Sequence, residues 1–529
     1  MFAFRHFICH VAAVLLLCLP LSFLHAQDTQ VSEGEVFDGE PFLSIDPADP
    51  QHLVIAWMGF DGFDLVQIKI RVSTNGGSTW SAPIGIPHLV AGYTSADPSL
   101  AWDSESNLYL SYIDSHPAGT NGKVLVRKSA DGGLTWGAAV EAIDAWDDGM
   151  EIPVDRPWMV VDRSGGPLDG YVYITTKPAP WIPFPNRNYL VVSSDGSSFS
   201  DWRYIDTIGW QIGDFIQAPM AAPAMGPDGR LHVAYPAWEW TENLLPRFVH
   251  ASSINAGASF SYHEMQESDG SNLSNDTTSK KGYQLLVDPT DANHLVFFWL
   301  FAPDGDNDIY LIESLNGGVN WTPPLRLNDD PAGSGVMQDL VWGDFDSDGD
   351  LAVCWRDRRN AVDTGYAVSS EIWGVVKGHD SLSFGANFRV SASSAFDSVL
   401  YGNGNDFMAL QFENDTLYAA WGDARDGVLT VWFNKLSAFD VESGILQLLS
   451  AETPLELTLW PNPATDQFTV AGDPCSAYYA INNLGERVLL KNAGSPGSFE
   501  TSNLSEGTWF IIGEHEGKSY SGRLIVFHK

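Results

Sequence analysis

The sequence predicts an all-β protein: a seven-bladed β-propeller followed by a small β-sandwich. Three observations predict it. Seven apolar hairpins of one design recur along residues 27–440. A turn of the form Ser-x-Asp/Asn-x-Gly-x-x-aromatic recurs between several of them. Helix-forming runs are missing: charged residues are 18 %, and 49 Gly and 30 Pro punctuate short apolar stretches, the pattern of strands joined by turns.

The hairpins begin near Pro41, Pro98, Pro157, Pro219, Tyr283, Asp339 and Phe407. Each opens with a short, nearly continuous apolar strand, as in PFLSID and PWMVVD. Such a strand is covered on both faces, as the inner strand of a blade is. The last hairpin has no fourth strand after residues 429–436. The segment Thr29 to Phe37 fits that vacancy, and closing the ring this way removes its exposed edges.

The recurring turn reads Ser73-Thr74-Asn75-Gly76-Gly77-Ser78-Thr79-Trp80, then Ser129-Ala130-Asp131-Gly132-Gly133-Leu134-Thr135-Trp136, and later Ser314-Leu315-Asn316-Gly317-Gly318-Val319-Asn320-Trp321. Weaker copies run from Ser193 to Phe199, with Asp195, and from Ser253 to Phe260, with Asn255 and Gly257. The copies lie about 60 residues apart, the length of one four-stranded blade with its loops. The Asp or Asn side chain closes an Asx-turn, glycine supplies the positive φ, and the aromatic folds back as a plug. This motif resembles the Asp-box, the bacterial neuraminidase repeat of sialidases and many other propellers. The resemblance implies a joint between the third and fourth strands, on the face away from an active site. It also raises a six-bladed ring as the alternative, since sialidases have six blades.

Residues 1–26 read as a secretory signal. Arg5 and His6 precede an apolar run from Val11 to Leu24, and Ala26 precedes Gln27, a run too short to be a spanning helix. The leader takes Cys9 and Cys18, leaving Cys354 and Cys475, which build neither a disulfide framework nor a zinc site. The formal net charge of −39 repels nucleic acid and anionic membrane alike, and no stretch of the mature chain is apolar enough to span a bilayer.

Beyond the propeller (27–440) and a linker (441–453), residues 454–529 form a separate unit. It opens on Leu459-Trp460-Pro461-Asn462-Pro463-Ala464-Thr465-Asp466. It continues through Asn482-Asn483-Leu484-Gly485-Glu486-Arg487-Val488 and Leu504-Ser505-Glu506-Gly507-Thr508-Trp509, and closes on Gly522-Arg523-Leu524-Ile525-Val526. Short strands broken by Pro-Asn-Pro, Asn and Gly turns predict an Ig-like sandwich. These motifs, in this order, resemble the type A C-terminal sorting domain of type IX secretion in Bacteroidota. The resemblance implies export through that machinery as the partner of the tail, then attachment to the cell surface or release.

Ligand chemistry in a propeller sits in the loops entering the inner strands and following the second strands. The first set offers Glu40, Asp97, Asp155, Arg156, Gln217, Asp339 and Asp406. The second offers Asp61, Asp114, His116, Trp238, Glu239, Trp240, Asp304, Arg356, Asp357, Arg358, Arg359, Asp423 and Arg425. Carboxylates, guanidinium forks and aromatic platforms together suit a glycan, or a surface protein. Two readings stay open for the repeated Trp-x-Asp-x-Arg at Trp355 and Trp421: ligand contact, or pairing that ties neighbouring blades together. The sialidase resemblance implies three arginines, a Tyr–Glu pair and an Asp acid. The loose candidates are Arg156, Arg356 and Arg425, Tyr401 with Glu239, and Asp61 or Asp97. The Arg-Ile-Pro segment typical of that family is absent from Gly39-Glu40-Pro41-Phe42. Asp344, Asp346, Asp348 and Asp350 have the DxDxDG spacing of calcium loops, without a Glu at the twelfth position, where Trp355 stands. HExxH, GxSxG, phosphate-loop and dinucleotide signatures are missing. Single histidines such as His116, His232 and His263 read as surface or packing residues. The expectation is an exported propeller that binds glycan or protein, with a sialidase-like glycoside hydrolase as the alternative.

Overall fold

The computed structural model describes residues 27–33, 36–61, 65–119, 122–144, 154–179, 187–206, 220–238, 246–267, 282–365, 367–395, 405–437, 455–471, 478–482 and 487–528, except 492, 494, 496, 516 and 517. The leader, Cys475 and the linker lie outside them. Every element is a strand; no helix occurs among the described residues.

Seven four-stranded antiparallel sheets occupy residues 38–85, 94–144, 154–204, 222–267, 283–326, 339–389 and 409–437, the last completed by Thr29–Gln30. They are numbered blades 1 to 7 in that order. Each first strand touches the first strand of the next blade, and Asp38–Asp46 of blade 1 touches Ala409–Glu413 of blade 7. The ring is therefore closed around an axis lined by first strands. The closing strand pairs Thr29 with Phe433 and Gln30 with Trp432. Val31 N–H donates to the Val431 carbonyl at 2.8 Å. Asp28 is the latch: its carboxylate takes the Ala392 N–H at 2.9 Å, Arg425 Nη1 at 2.6 Å and Asn434 Nδ2 at 3.2 Å.

The five Ser-x-Asp/Asn turns each join the third and fourth strands of a blade. In the first, Ser73 Oγ donates to Asn75 Oδ1 (3.0 Å) and accepts from Gly77 N–H (2.9 Å), while Thr79 N–H donates to Asn75 Oδ1 (2.9 Å). Ser129–Asp131 and Ser314–Asn316 repeat this network. Trp136 and Trp321 cap their turns by donating to the Gly133 and Gly318 carbonyls. Trp80 packs edge-on against Phe433. The glycines have a second duty. At Gly77 (φ 77°) an added Cβ would lie 2.5 Å from Phe433 of blade 7, and at Gly318 (φ 84°) 2.2 Å from His250 of blade 4. Each such turn therefore presses bare backbone onto the preceding blade. His232 and His250 are buried against one another at 2.8 Å, with the His232 imidazole pushed down to about 3 by burial; they are packing residues.

A ring of this size leaves a central channel, and aromatic rings fill its middle. Phe42, Trp158, Trp342 and Phe407 come from blades 1, 3, 6 and 7, with centroids 5.1–6.2 Å apart.

The tail packs a five-stranded sheet against a three-stranded one, around Leu459, Phe468, Tyr478, Phe499, Trp509 and Leu524. The Pro-Asn-Pro-Ala segment clamps the final strand: Asn462 Oδ1 accepts Ile525 N–H at 2.9 Å, and Ala464 N–H donates to the Ile525 carbonyl at 2.8 Å.

Asp28→Ala unpins the closing strand and takes one of two carboxylates from Arg425, which keeps Asp423. We expect a loss of about 1–3 kcal/mol of propeller stability, read as a lowered denaturation midpoint of the full chain.

Candidate functional site

The inner strands enter the channel through a repeated irregularity. Pairing with the second strand slips between Gly39 and Phe42, Ala96 and Ser99, Asp155 and Trp158, and Asp339 and Trp342. Within each slip one residue has positive φ: Glu40 (54°), Asp97 (53°), Arg156 (51°) and Leu340 (53°). Proline follows three of them. Positive φ in a non-glycine residue is costly and persists only when its surroundings enforce it. Here the bulges re-aim charged side chains, and hydrogen bonds to the backbone hold them. Asp97 Oδ2 accepts Arg156 N–H at 3.1 Å, and Glu40 Oε1 accepts Asp406 N–H at 3.3 Å.

The result is a cluster at one end of the channel. Asp97 lies between Glu40 and Asp155, hydrogen-bonded to both. Arg156 Nη2 meets Asp406 at 2.9 Å, and Lys177 Nζ meets Asp155 at 2.5 Å. Their protonation states diverge. Burial, then the Asp406 charge, pushes Glu40 up to about 7. Burial, then Asp155 and Glu40, raises Asp97 well above the carboxylate range. Burial pushes Asp155 the same way, but Lys177 and Arg156 overcome it and hold that carboxyl below its ordinary value. Glu40 and Asp97 are sunk, at 3 % and 9 % exposed, whereas the side chains of Asp155 and Asp406 are 19 % and 31 % exposed. The protonated members thus lie beneath the more exposed ones.

The expected arginine-rich rim is folded inward. Arg356 grips Asp339 through Nε (2.7 Å) and Nη2 (2.6 Å), and Arg358 reaches the same carboxylate at 3.2 Å. Asp357 accepts from Trp355 Nε1 (2.8 Å) and Arg359 (2.9 Å), and Arg359 lies 4.0 Å above the Trp373 ring. Asp423 accepts from Trp421 Nε1 at 3.0 Å and from Arg425, which lies 4.1 Å above Trp432 and also holds Asp28. Arg356, Asp357, Arg358, Asp423 and Arg425 are thus placed in internal pairs, within blades 6 and 7 rather than between neighbouring blades. Two of the three arginines considered for clasping a ligand carboxylate, Arg356 and Arg425, are already engaged. Trp238 is half-buried at the end of its strand. Tyr401 and Glu239 lie outside the described residues. Lys177 was missed by sequence reasoning; its signal was a single base ending the strand Val172–Pro178.

The DxDxDG loop joins the first two strands of blade 6, at the opposite end of the channel. Asp344 Oδ2 accepts Gln411 Nε2 (2.9 Å) and Phe412 N–H (3.0 Å), and Asp346 accepts Asp415 N–H at 2.7 Å. These two bracket blade 7. Asp348 and Asp350 gather instead with His379, their ligand atoms within 4.8 Å of one another. Two carboxylates and an imidazole fall short of the six to eight oxygens that calcium takes, so these residues do not fit the expected calcium loop.

A family model for a secretion system C-terminal sorting domain matches residues 458–527. The tail is such a domain, and it marks the chain as a substrate of type IX secretion, released or held at the outer-membrane surface. No curated protein matches the chain in sequence. Among solved structures, the chain is similar to an α-L-arabinanase of Penicillium chrysogenum complexed with arabinobiose (12 % identity, 78 % of this chain and 98 % of that one, TM-score 0.44). It is also similar to a GH93 α-L-arabinofuranosidase of Fusarium graminearum (10 %, 78 % and 97 %, 0.45) and to a leech intramolecular trans-sialidase (16 %, 78 % and 70 %, 0.37). These are likenesses of shape, at identities too low to transfer an activity.

A carboxyl whose folded value is raised favours folding less as pH climbs through the interval between its unfolded and folded values. For Glu40 that interval runs from 4.5 to about 7. Stability therefore falls by about 2–3 kcal/mol across it on this group's account, and Glu40→Gln makes the measured slope shallower. Denaturation midpoints between pH 4.5 and 7.5 test this.

Proposed function

We propose that the mature protein is an exported glycan-binding propeller. It engages neutral sugar hydroxyls through the channel end that carries Asp155 and Asp406. The observation that carries this reading is the layering of the cluster. The more exposed members are charged acceptors backed by Lys177 and Arg156, while the groups that retain protons are sunk. Charge-assisted acceptors held rigid from behind suit hydroxyl recognition. The net charge of −39 favours a neutral ligand over an acidic one, and the engaged Arg356 and Arg425 speak against a clasp for sialic acid.

A hydrolase is the second reading, favoured by one observation: a protonated carboxyl and an ionised one side by side is the division of labour that glycoside cleavage uses.

The test is a neutral-glycan array together with a panel of aryl glycosides, using the full chain. We expect array binding that Asp406→Asn weakens at least tenfold in protein that stays folded; Asp155→Asn weakens it as much and also lowers the melting temperature, because it leaves Lys177 buried without its carboxylate. Turnover of any aryl glycoside, lost in Asp97→Asn, would put the hydrolase first. Silence on both would overturn the glycan reading.

A further inference from the structure

The other end of the channel holds a cavity of about 720 Å³, open to solvent, within the size range of small-molecule sites. Its closed end is the aromatic plug, through Phe42, Trp158 and Trp342. Its wall is divided by the inner strands at one level. Blades 2 to 5 contribute Ala101, Val160, Ala224 and Leu286, and blades 6, 7 and 1 contribute Asp344, Gln411 and Ser44. One side of the cavity is apolar and the other polar.

Arg163 breaks the repeat. It follows Asp162 in the turn after the first strand of blade 3. The matching residues of the other blades are Pro47, Ser104, Pro227, Pro289, Ser347 and Asn414, none of them basic. Among the described lining residues Arg163 is the sole base. Among the described residues it donates no hydrogen bond and enters no ion pair, and it is solvent-exposed. Yet it is hemmed in closely enough that burial lowers its pKa, against the pull of Asp344, Glu413 and Asp46. An exposed guanidinium in a concave site, with no protein partner, is a donor fork held open. Asp344 is the facing acceptor. It is only partly covered, and burial pushes it up to about 7.

We infer that this cavity is a second saccharide site, taking a neutral mono- or disaccharide end-on. A sugar hydroxyl both donates and accepts. Adjacent hydroxyls therefore match a guanidinium and a carboxyl that lie too far apart to bond each other. The apolar wall and the Trp158 and Trp342 rings suit the C–H face of a pyranose. An anionic ligand is disfavoured by Asp344, Glu413 and Asp46, and a purely apolar one would leave Arg163 desolvated without a partner. The inference is independent of the site proposed at the far end, because the plug separates the two.

The experiment is saturation-transfer NMR and calorimetry on the full chain with the methyl glycosides of D-glucose, D-galactose and D-mannose. We expect at least one to bind. Arg163→Ser, which installs the residue that blades 2 and 6 carry at that position, weakens that binding at least tenfold while the melting temperature is kept. Ala101→Phe, which fills the cavity from its apolar wall, does the same without touching Arg163. Asp155→Asn leaves it unchanged. The inference is overturned if none of the three sugars binds, or if binding survives both cavity variants. Loss of binding with Asp155→Asn alone would place the sugar at the other end and overturn it equally.

Discussion

The structure depends on filling one hole. Seven sheets set edge to axis cannot bring their first strands into contact across the centre, and an empty channel forfeits dispersion contacts along its whole length. Phe42, Trp158, Trp342 and Phe407 fill that space with rings in tilted and edge-on contact. The bulges at Glu40, Asp97, Arg156 and Leu340 are tied to this demand. In three of the four, the residue two places on is Phe42, Trp158 or Trp342. One irregularity thus turns a large ring into the channel and a charged or polar group toward its end. In blade 2 the corresponding residue is the small Ser99, between the blades that carry Phe42 and Trp158.

Charge is arranged around the same constraint. A fully buried ammonium such as Lys177 demands a carboxylate, and a carboxylate in that setting demands a cation or a proton. The cluster meets both needs unevenly. Asp155 takes the cations and stays ionised, while Glu40 and Asp97 are pushed toward the protonated form. At the far end, Asp344 is likewise raised, but its backbone partner Phe412 belongs to the next blade. The same residue type therefore pairs with cations at one end and braces neighbouring blades at the other, and the partner decides which.

Much of this was legible in the sequence. Each turn motif carries its own hydrogen-bond logic within eight residues, so Ser73, Asn75 and Gly77 announce their geometry locally. The hairpins show as apolar runs, and the missing fourth strand of the last blade pointed to the N-terminal segment. The site was less legible because it rests on which face a side chain takes. Along Leu351–Asp357 and beyond, alternation sends Trp355, Asp357 and Arg359 one way and Arg356 and Arg358 the other. Two internal networks then look like one exposed Arg-rich patch. The spacing of Asp344 and Asp346 matched calcium loops, but backbone N–H groups of blade 7 had the prior claim, and nothing near them in sequence reveals it. Lys177 needed Asp155, 22 residues away, to become meaningful. Arg163 was visible only against the aligned turns of the other blades.

Closure connects fold to export. The latch on Asp28 joins residues about 400 positions apart, so the ring cannot close until its last blade exists, and non-local pairing of that kind is slow. Closure is also complete by Ser437, the end of the last propeller strand, before the sorting domain begins. The strand Thr430–Ser437 has neighbours on both sides, Thr416–Asp423 and Thr29–Gln30. Its hydrogen bonds owe nothing to the tail. Among the described residues, the last propeller strand therefore takes no partner from the tail.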